Sequence, residues 1–112
     1  MRAVAVRPPR EWRGVETGIM DLLRLFGWRY THFRPARTEH GWRTPMEGDA
    51  GFVDIVAVRG GRCLAIEVKS GSGRLNAEPA RWRDELTRVA GIEHHVWGRG
   101  DLESGAIEAA LR

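Results

Sequence analysis

The feature that most constrains this chain is a pair of apolar runs in residues 51–69, GFVDIVAVRGGRCLAIEVK, joined by Gly60 and Gly61. Both runs are rich in the β-branched and apolar residues typical of strands. A two-residue glycine loop supplies the positive φ angles that type I′ and II′ turns require. The sequence therefore predicts an antiparallel β-hairpin.

The register of this hairpin follows from its turn. If Arg59 faces Arg62, then Asp54 lies directly opposite Glu67. Directly paired residues have Cβ atoms about 4.5–5.5 Å apart, and like charges there destabilise a sheet. Lys69 lies two residues beyond Glu67 and is expected on the same face. A divalent cation between the two acids would remove the repulsion, so the hairpin indicates a cation site.

Lys69 is the only lysine, although Lys and Arg together number 18. Arginine stays protonated in proteins, whereas the lysine ammonium is a compact charge with an adjustable pKa. The position beside Glu67 favours a functional role for Lys69. The alternative is a surface residue at the end of a strand.

Length, charge and cysteine content limit the class of protein. The 112 residues predict one domain, and the net charge of +3 favours polyanionic partners such as nucleic acid. The lone Cys63 cannot form an internal disulfide and is interpreted as a small buried hydrophobe. No stretch has the length and apolarity of a membrane span or a signal peptide, so we expect a cytoplasmic protein.

Hydrophobic periodicity predicts an α/β domain with a small mixed sheet flanked by helices, in the order α-β-β-β-α-β-α. Residues 1–10 are expected to form an N-terminal arm, and residues 34–50 a mobile loop. The predicted elements are a helix over 11–26, a strand over 28–33, the hairpin, a helix from the cap Asn76 to Val89, a strand over 92–97 and a helix from the cap Asp101 to Leu111.

Three further residues are candidates for the cation site. Glu16 lies off the centre of the first helix's apolar stripe, and it is either a solvated acid or a third acid of the cleft. Glu11 is an alternative third acid, or a charge near the helix start. His32 is either a half-buried sheet residue or a cleft residue. His94 and His95 are adjacent in a strand and point to opposite faces, so we assign them no chemistry.

Arginines on either side of the hairpin are candidates for phosphate contact, because basic residues interleaved with aromatic ones suit nucleic-acid binding. The candidates are Arg34, Arg37, Arg43, Arg74 and Arg81.

Several motifs together resemble the virus-type replication-repair nuclease (VRR-NUC) domain of the PD-(D/E)XK nuclease superfamily. They are Gly-Phe-x-Asp at 51–54, Glu-x-Lys at 67–69, Gly-Arg-Leu at 73–75 and Trp82 in a helix. Gly-Trp at 27–28, His32 and Val-Trp at 96–97 extend the resemblance over nearly the whole chain. The chain departs from the family pattern at Val53, where Pro is usual, and at Pro79, where the helix usually has Gln.

The resemblance implies a restriction-endonuclease-like core and a metal-dependent DNA endonuclease selective for branched substrates such as junctions or flaps. Asp54, Glu67 and the carbonyl of Val68 would hold Mg²⁺ or Mn²⁺, Lys69 would act on the attacking water or the scissile phosphate, and Glu16 would be the third acid. DNA is the expected partner, and we expect a homodimer. The alternatives are a catalytically weak or inactive nucleic-acid-binding module on the same fold, and a plain structural or protein-interaction domain.

Overall fold

The structure, a computed structural model, describes residues 10–33, 36–39, 41–43, 46–69 and 79–112. Its helices are α1 (Arg10–Leu25), α2 (Pro79–Leu86), α3 (Arg99–Glu103) and α4 (Ala106–Leu111). Its strands are β1 (Arg29–His32), β2 (Ala36–Thr38), β3 (Gly41–Arg43), β4 (Ile55–Arg59), β5 (Arg62–Val68) and β6 (Ile92–Trp97).

Four of the strands form one mixed sheet in the order β1-β4-β5-β6, and β2 pairs with β3 in a separate two-stranded sheet. The β1–β4 and β4–β5 pairs are antiparallel, whereas β5 and β6 are parallel. This parallel pair requires a crossover connection, and α2 lies in that connection. The predicted α/β domain with a small mixed sheet and flanking helices is confirmed.

The predicted element order is wrong in two places. Residues 36–38 and 41–43 form the paired strands β2 and β3, where we expected a mobile loop. The expected last helix is two helices, because the chain turns at Gly105, whose φ of +86° interrupts a right-handed helix. Asp101 is not its cap residue: it lies inside α3, and its carboxylate accepts the Gly98 N–H at 2.9 Å.

The second helix also ends earlier than predicted. It ends at Leu86, so Val89, the predicted last residue, lies beyond the helix and is exposed. The described part of α2 begins at Pro79, and the expected cap Asn76 lies outside the described residues. Cys63 is partly exposed at the hairpin and not fully buried as predicted.

The β4–β5 hairpin has the predicted register, from Arg59↔Arg62 at the turn to Ile55↔Ile66. Gly60 and Gly61 have φ values of +55° and +86°, which identifies a type I′ turn. The regular ladder stops at Ile55, so Asp54 directly precedes β4 and is not part of it.

The hydrophobic core lies between α1 and one face of the four-stranded sheet. Residues at helical spacing on α1 pack there with alternate residues of β4 and β5 and with the C-terminal helix. They are Val15, Ile19, Leu23, Ile55, Ala57, Leu64, Ile66, Ile107 and Leu111. Burying each large aliphatic side chain contributes roughly 1.5–3 kcal/mol. Within the described residues no helix is long and apolar enough to cross a membrane.

The two faces of this sheet differ. Strand residues alternate between faces, and Ile66 belongs to the core beneath α1. Glu67 therefore faces the opposite way, toward α2. The strand end after residue 66 is thus the place where side chains from both faces can approach each other.

Candidate active site

Asp54 is anchored at this strand end by three hydrogen bonds. Its N–H donates to the Ile66 carbonyl at 2.9 Å, and its own carbonyl accepts the Phe33 N–H at 2.8 Å. Its Oδ2 accepts the Val68 N–H at 2.7 Å. Backbone groups on both sides of β4 therefore fix Asp54, since Phe33 follows β1 and Ile66 and Val68 belong to β5. The carboxylate contacts β5 at Val68, the residue after Glu67.

The surroundings of Asp54 disfavour its negative charge. Burial raises the pKa of Asp54 from 3.8 to about 6, and the hydrogen bond from Val68 opposes this shift. The neighbouring carboxylates Glu16 and Glu67 raise the same pKa further, and His32 lowers it. Glu16 of α1 and Glu67 of β5 are therefore each close enough to Asp54 to repel its carboxylate.

Glu67 is buried, with 6% of its surface exposed. Arg83 of α2 approaches it with two nitrogens, Nε at 3.2 Å from Oε1 and Nη2 at 3.3 Å from Oε2. This is the two-pronged geometry in which a guanidinium matches a carboxylate. The side chain of Arg83 is 23% exposed, so this ion pair lies at the border between the sheet and solvent.

His94 lies on the other side of Glu67. Its Nε2 is 3.2 Å from Glu67 Oε1, but the groups are not aligned for a hydrogen bond, and Nε2 is buried without a hydrogen-bond partner among the described residues. Burial lowers the pKa of His94, against the attraction of Glu67. His94 is therefore uncharged at neutral pH and lies beside the carboxylate of Glu67.

Glu16 and His32 meet on the α1 side of the same strand end. Glu16 is 7% exposed, so its interpretation as a solvated acid is wrong. Its Oε2 lies 3.3 Å from His32 Nε2, and both side chains are about 10% exposed. His32 of β1 is therefore in contact with Glu16 of α1. Only the backbone of the alternative acid Glu11 is described.

Lys69 directly follows β5, and its N–H donates to the Trp97 carbonyl at 2.8 Å. Its aliphatic stem packs over Gly98: a Cβ at residue 98 would lie 3.1 Å from Lys69 Cδ. Among the described residues the ammonium forms no salt bridge. Because Gly98 has no side chain, the aliphatic stem of Lys69 has space to lie over its backbone.

The candidate DNA-binding arginines are only partly described. Arg34 and Arg74 lie outside the described residues, and Arg37 and Arg43 are described as backbone of the β2–β3 pair. Arg81 is exposed on α2. This helix is also linked to the segment before the hairpin, because Trp82 Nε1 donates to the Asp49 carbonyl at 3.1 Å. The predicted basic interface therefore stays a prediction.

The predicted ligand set for a cation consists of the carboxylates of Asp54 and Glu67 and the carbonyl of Val68. No group of three or more His, Cys, Asp or Glu side chains able to hold a metal ion occurs in the described residues. The set is all oxygen, as Mg²⁺ and Mn²⁺ prefer. Repulsion from Glu16 and Glu67 adds to the effect of burial in raising the pKa of Asp54, and a divalent cation bound between the acids would relieve that repulsion.

The contacts of His94 and Arg83 with Glu67 were not predicted from the sequence. A helix between two strands of one sheet implies a parallel pair, and the observed register sets Ala65 beside His94. Since residues 65 and 67 share a face, alternation along β6 could have placed His94 on the face of Glu67. The prediction that His94 and His95 point to opposite faces is confirmed, because His95 stacks on Trp97 at 4.5 Å between ring centroids.

No protein-family model, curated protein or solved structure matches this chain.

Proposed function

We propose that this protein is a Mg²⁺- or Mn²⁺-dependent DNA endonuclease built on a restriction-endonuclease-like core. The observation that supports this most is the state of Asp54, a largely buried carboxyl with a pKa of about 6 beside two further acids. Ionisable groups perturbed by burial and by like charge are typical of functional sites. A structural role would not require three carboxylates at one strand end.

The carboxylates of Asp54 and Glu67 and the carbonyl of Val68 would hold the ion. When bound, it would lower the pKa of a water molecule and stabilise the negative charge that builds up on the phosphorane. The Val68 N–H orients the Asp54 carboxylate through Oδ2, which leaves Oδ1 available as a ligand. Glu16 is the third acid, and His32 orients it from β1.

Lys69 would act directly on the reacting groups. Its ammonium would orient the attacking water or neutralise the scissile phosphate, and its half-buried stem against Gly98 limits the positions it can take. By resemblance to the nuclease family, hydrolysis would leave a 5′-phosphate on the DNA product.

The substrate proposed is branched DNA, a junction or flap, in replication, repair or recombination. The candidate arginines would contact phosphates, so DNA affinity should fall steeply with salt. Within the part of the chain that the structure describes, no feature suggests readout of base edges, which favours recognition of DNA shape. The domain is small for a branched substrate, and a homodimer would supply two such sites related by symmetry.

Cleavage of a panel of four-way junctions, flaps and linear duplexes tests the proposal. We expect cleavage of a branched substrate with Mg²⁺ or Mn²⁺ and none with EDTA. Lys69→Ala should lower the rate roughly 10²–10⁴-fold while retaining DNA binding. The control is Arg88→Gln, which removes an exposed charge just after the end of α2. If wild-type protein binds these DNAs and cuts none of them with either metal, the enzyme proposal fails.

A non-catalytic nucleic-acid-binding module is the second candidate. It is favoured by Pro79, which stands at the start of α2 where the family has Gln, and by Arg83, which engages both oxygens of Glu67. This candidate predicts DNA binding that does not change with EDTA. It also predicts that Mg²⁺ does not raise the Tm, since a ligand that binds only the folded state stabilises it by mass action.

A further inference from the structure

The contact between Arg83 and Glu67 bears on how a cation could reach the proposed site. Both oxygens of Glu67 accept from the Arg83 guanidinium, at 3.2 and 3.3 Å. The Glu67 side chain is 7% exposed, so few other directions of approach to its oxygens remain. An ion bound to Glu67 in this arrangement would lie beside a positive charge, which opposes its binding.

The other neighbours of Glu67 cannot replace Arg83 as a counter-charge. The side chain of His94 is 4% exposed, and its Nε2 makes no hydrogen bond with Glu67. Lys69 forms no salt bridge among the described residues. Asp54 and Glu16 are themselves acids and increase the negative charge at the strand end. Arg83 is therefore the one cation in the described residues that is paired with the Glu67 carboxylate.

Arg83 is also placed so that it can leave. It lies in the last turn of α2, which is eight residues long, and its side chain is 23% exposed. An arginine side chain has several rotatable bonds, and its head can reach solvent while its stem stays in place. The buried partner in the pair is the acid, and the partly exposed partner is the base.

We infer that Arg83 is a resident counter-ion, which neutralises Glu67 while no metal is bound and is exchanged for the metal ion when the site is filled. This inference rests on the proposed function and adds a step to it. Metal binding must displace a guanidinium, so the affinity of the free protein for metal is weakened. The displaced guanidinium then becomes available to a DNA phosphate, which couples metal binding to DNA binding.

Titration with Mn²⁺, followed by electron paramagnetic resonance of the free ion, tests the exchange without DNA or catalysis. Arg83→Gln keeps a side chain that can donate a hydrogen bond but removes the charge, and it should lower the Kd for Mn²⁺ about ten-fold. Arg83→Lys keeps the charge but loses the two-pronged contact, and it should lower the Kd for Mn²⁺ about three-fold. The matched control Arg88→Gln removes an exposed arginine just after α2 and should change the Kd less than about two-fold.

Glu67→Gln distinguishes a failure of the exchange from a failure of the metal site, because this variant should not bind Mn²⁺ at the site. If Arg83→Gln binds Mn²⁺ no more tightly than wild type while Glu67→Gln does not bind it, the exchange is refuted and the metal site stands. If neither wild type nor Arg83→Gln binds Mn²⁺, the exchange and the proposed function are both refuted.

A second measurement uses the wild-type protein and does not depend on whether the variants fold. The Nε–Hε resonance of Arg83, assigned by through-bond correlations along its side chain in isotope-labelled wild-type protein, reports the contact with Glu67. Mg²⁺ should shift this resonance toward those of exposed arginines. If saturating Mg²⁺ leaves it unchanged, Arg83 stays on Glu67 and the exchange is refuted.

Discussion

The strongest consequence of the acidic strand end is that Asp54 destabilises the fold that carries it. The folded protein holds the Asp54 pKa at about 6, against an ordinary value of 3.8. Each unit of pKa corresponds to 1.36 kcal/mol, so ionising this carboxyl costs the folded state about 3 kcal/mol. Asp54→Asn removes the charge, and its side-chain oxygen can still accept the Val68 N–H. We therefore expect the variant to be more stable than wild type by about 3 kcal/mol at pH 8.

The pH dependence of this difference has a definite sign. Because the folded pKa is the higher one, the folded state binds the proton more tightly than the unfolded state. The penalty is absent below pH 3.8, grows as the pH rises to about 6, and is complete above about pH 7. The advantage of Asp54→Asn should therefore fall to about 1 kcal/mol at pH 4.5.

Urea unfolding in EDTA at pH 8 and at pH 4.5 measures both values. A gain of about 3 kcal/mol corresponds to a rise in Tm of roughly 12 °C for a domain of this size. The control is Asp84→Asn, the same change at an exposed position of α2, which should stay within about 0.5 kcal/mol of wild type. Equal midpoints for Asp54→Asn and wild type at pH 8 would refute the argument that this strand end is electrostatically strained. Added Mn²⁺ should stabilise wild type and not Asp54→Asn.

Four other substitutions test three separate features. Gly98→Ala puts a Cβ 3.1 Å from Lys69 Cδ and should displace the lysine side chain. We expect the cleavage rate to fall about ten-fold with little change in Tm. An unchanged rate would contradict the proposed positioning of Lys69 by Gly98. Gly61→Ala forces a Cβ onto a residue with φ +86° and should destabilise the protein by about 1 kcal/mol, whereas Gly60→Asn suits the type I′ turn and should be neutral in the same urea titration. An Arg62 ion pair and a weaker His95 contact lower the pKa of Glu93 to about 2. The ionised Glu93 therefore stabilises the folded state above pH 4.5, and this contribution is lost as the pH falls through about 2. Glu93→Gln should lower the free energy of unfolding by less than about 1 kcal/mol at pH 7, because the ion pair is partly exposed.

The features of the fold that depend on local patterns could be predicted from the sequence. The glycine pair and the alternation around it determined the hairpin register, and the α1 stripe predicted the core face. The β2–β3 pair was missed because three-residue strands carry too little periodicity to distinguish from a polar loop. The break at Gly105 was missed because a single glycine is tolerated in a helical pattern.

The candidate site was predictable only where it depends on one hairpin. Asp54 and Glu67 follow from the register of two neighbouring strands. The burial of Glu16 depends instead on how α1 sits over the sheet, and the Arg83 contact depends on where the crossover sets α2. These are tertiary relations. The apolar stripe of a helix shows which face is buried, but it does not determine the rotation of the helix about its axis closely enough to place residues at the edge of the stripe.

The parallel pairing of β5 with β6 also has a consequence for the time course of folding. The β4–β5 hairpin closes over two residues and can form within microseconds, whereas β6 can join β5 only after residues 69–91 have closed a long loop. The two acids of the hairpin are then still hydrated, and their repulsion is weak. It grows when the later elements exclude water from the strand end. Asp54→Asn should therefore slow unfolding far more than it speeds folding, so this acid shortens the lifetime of the folded state and leaves the path toward it nearly unchanged.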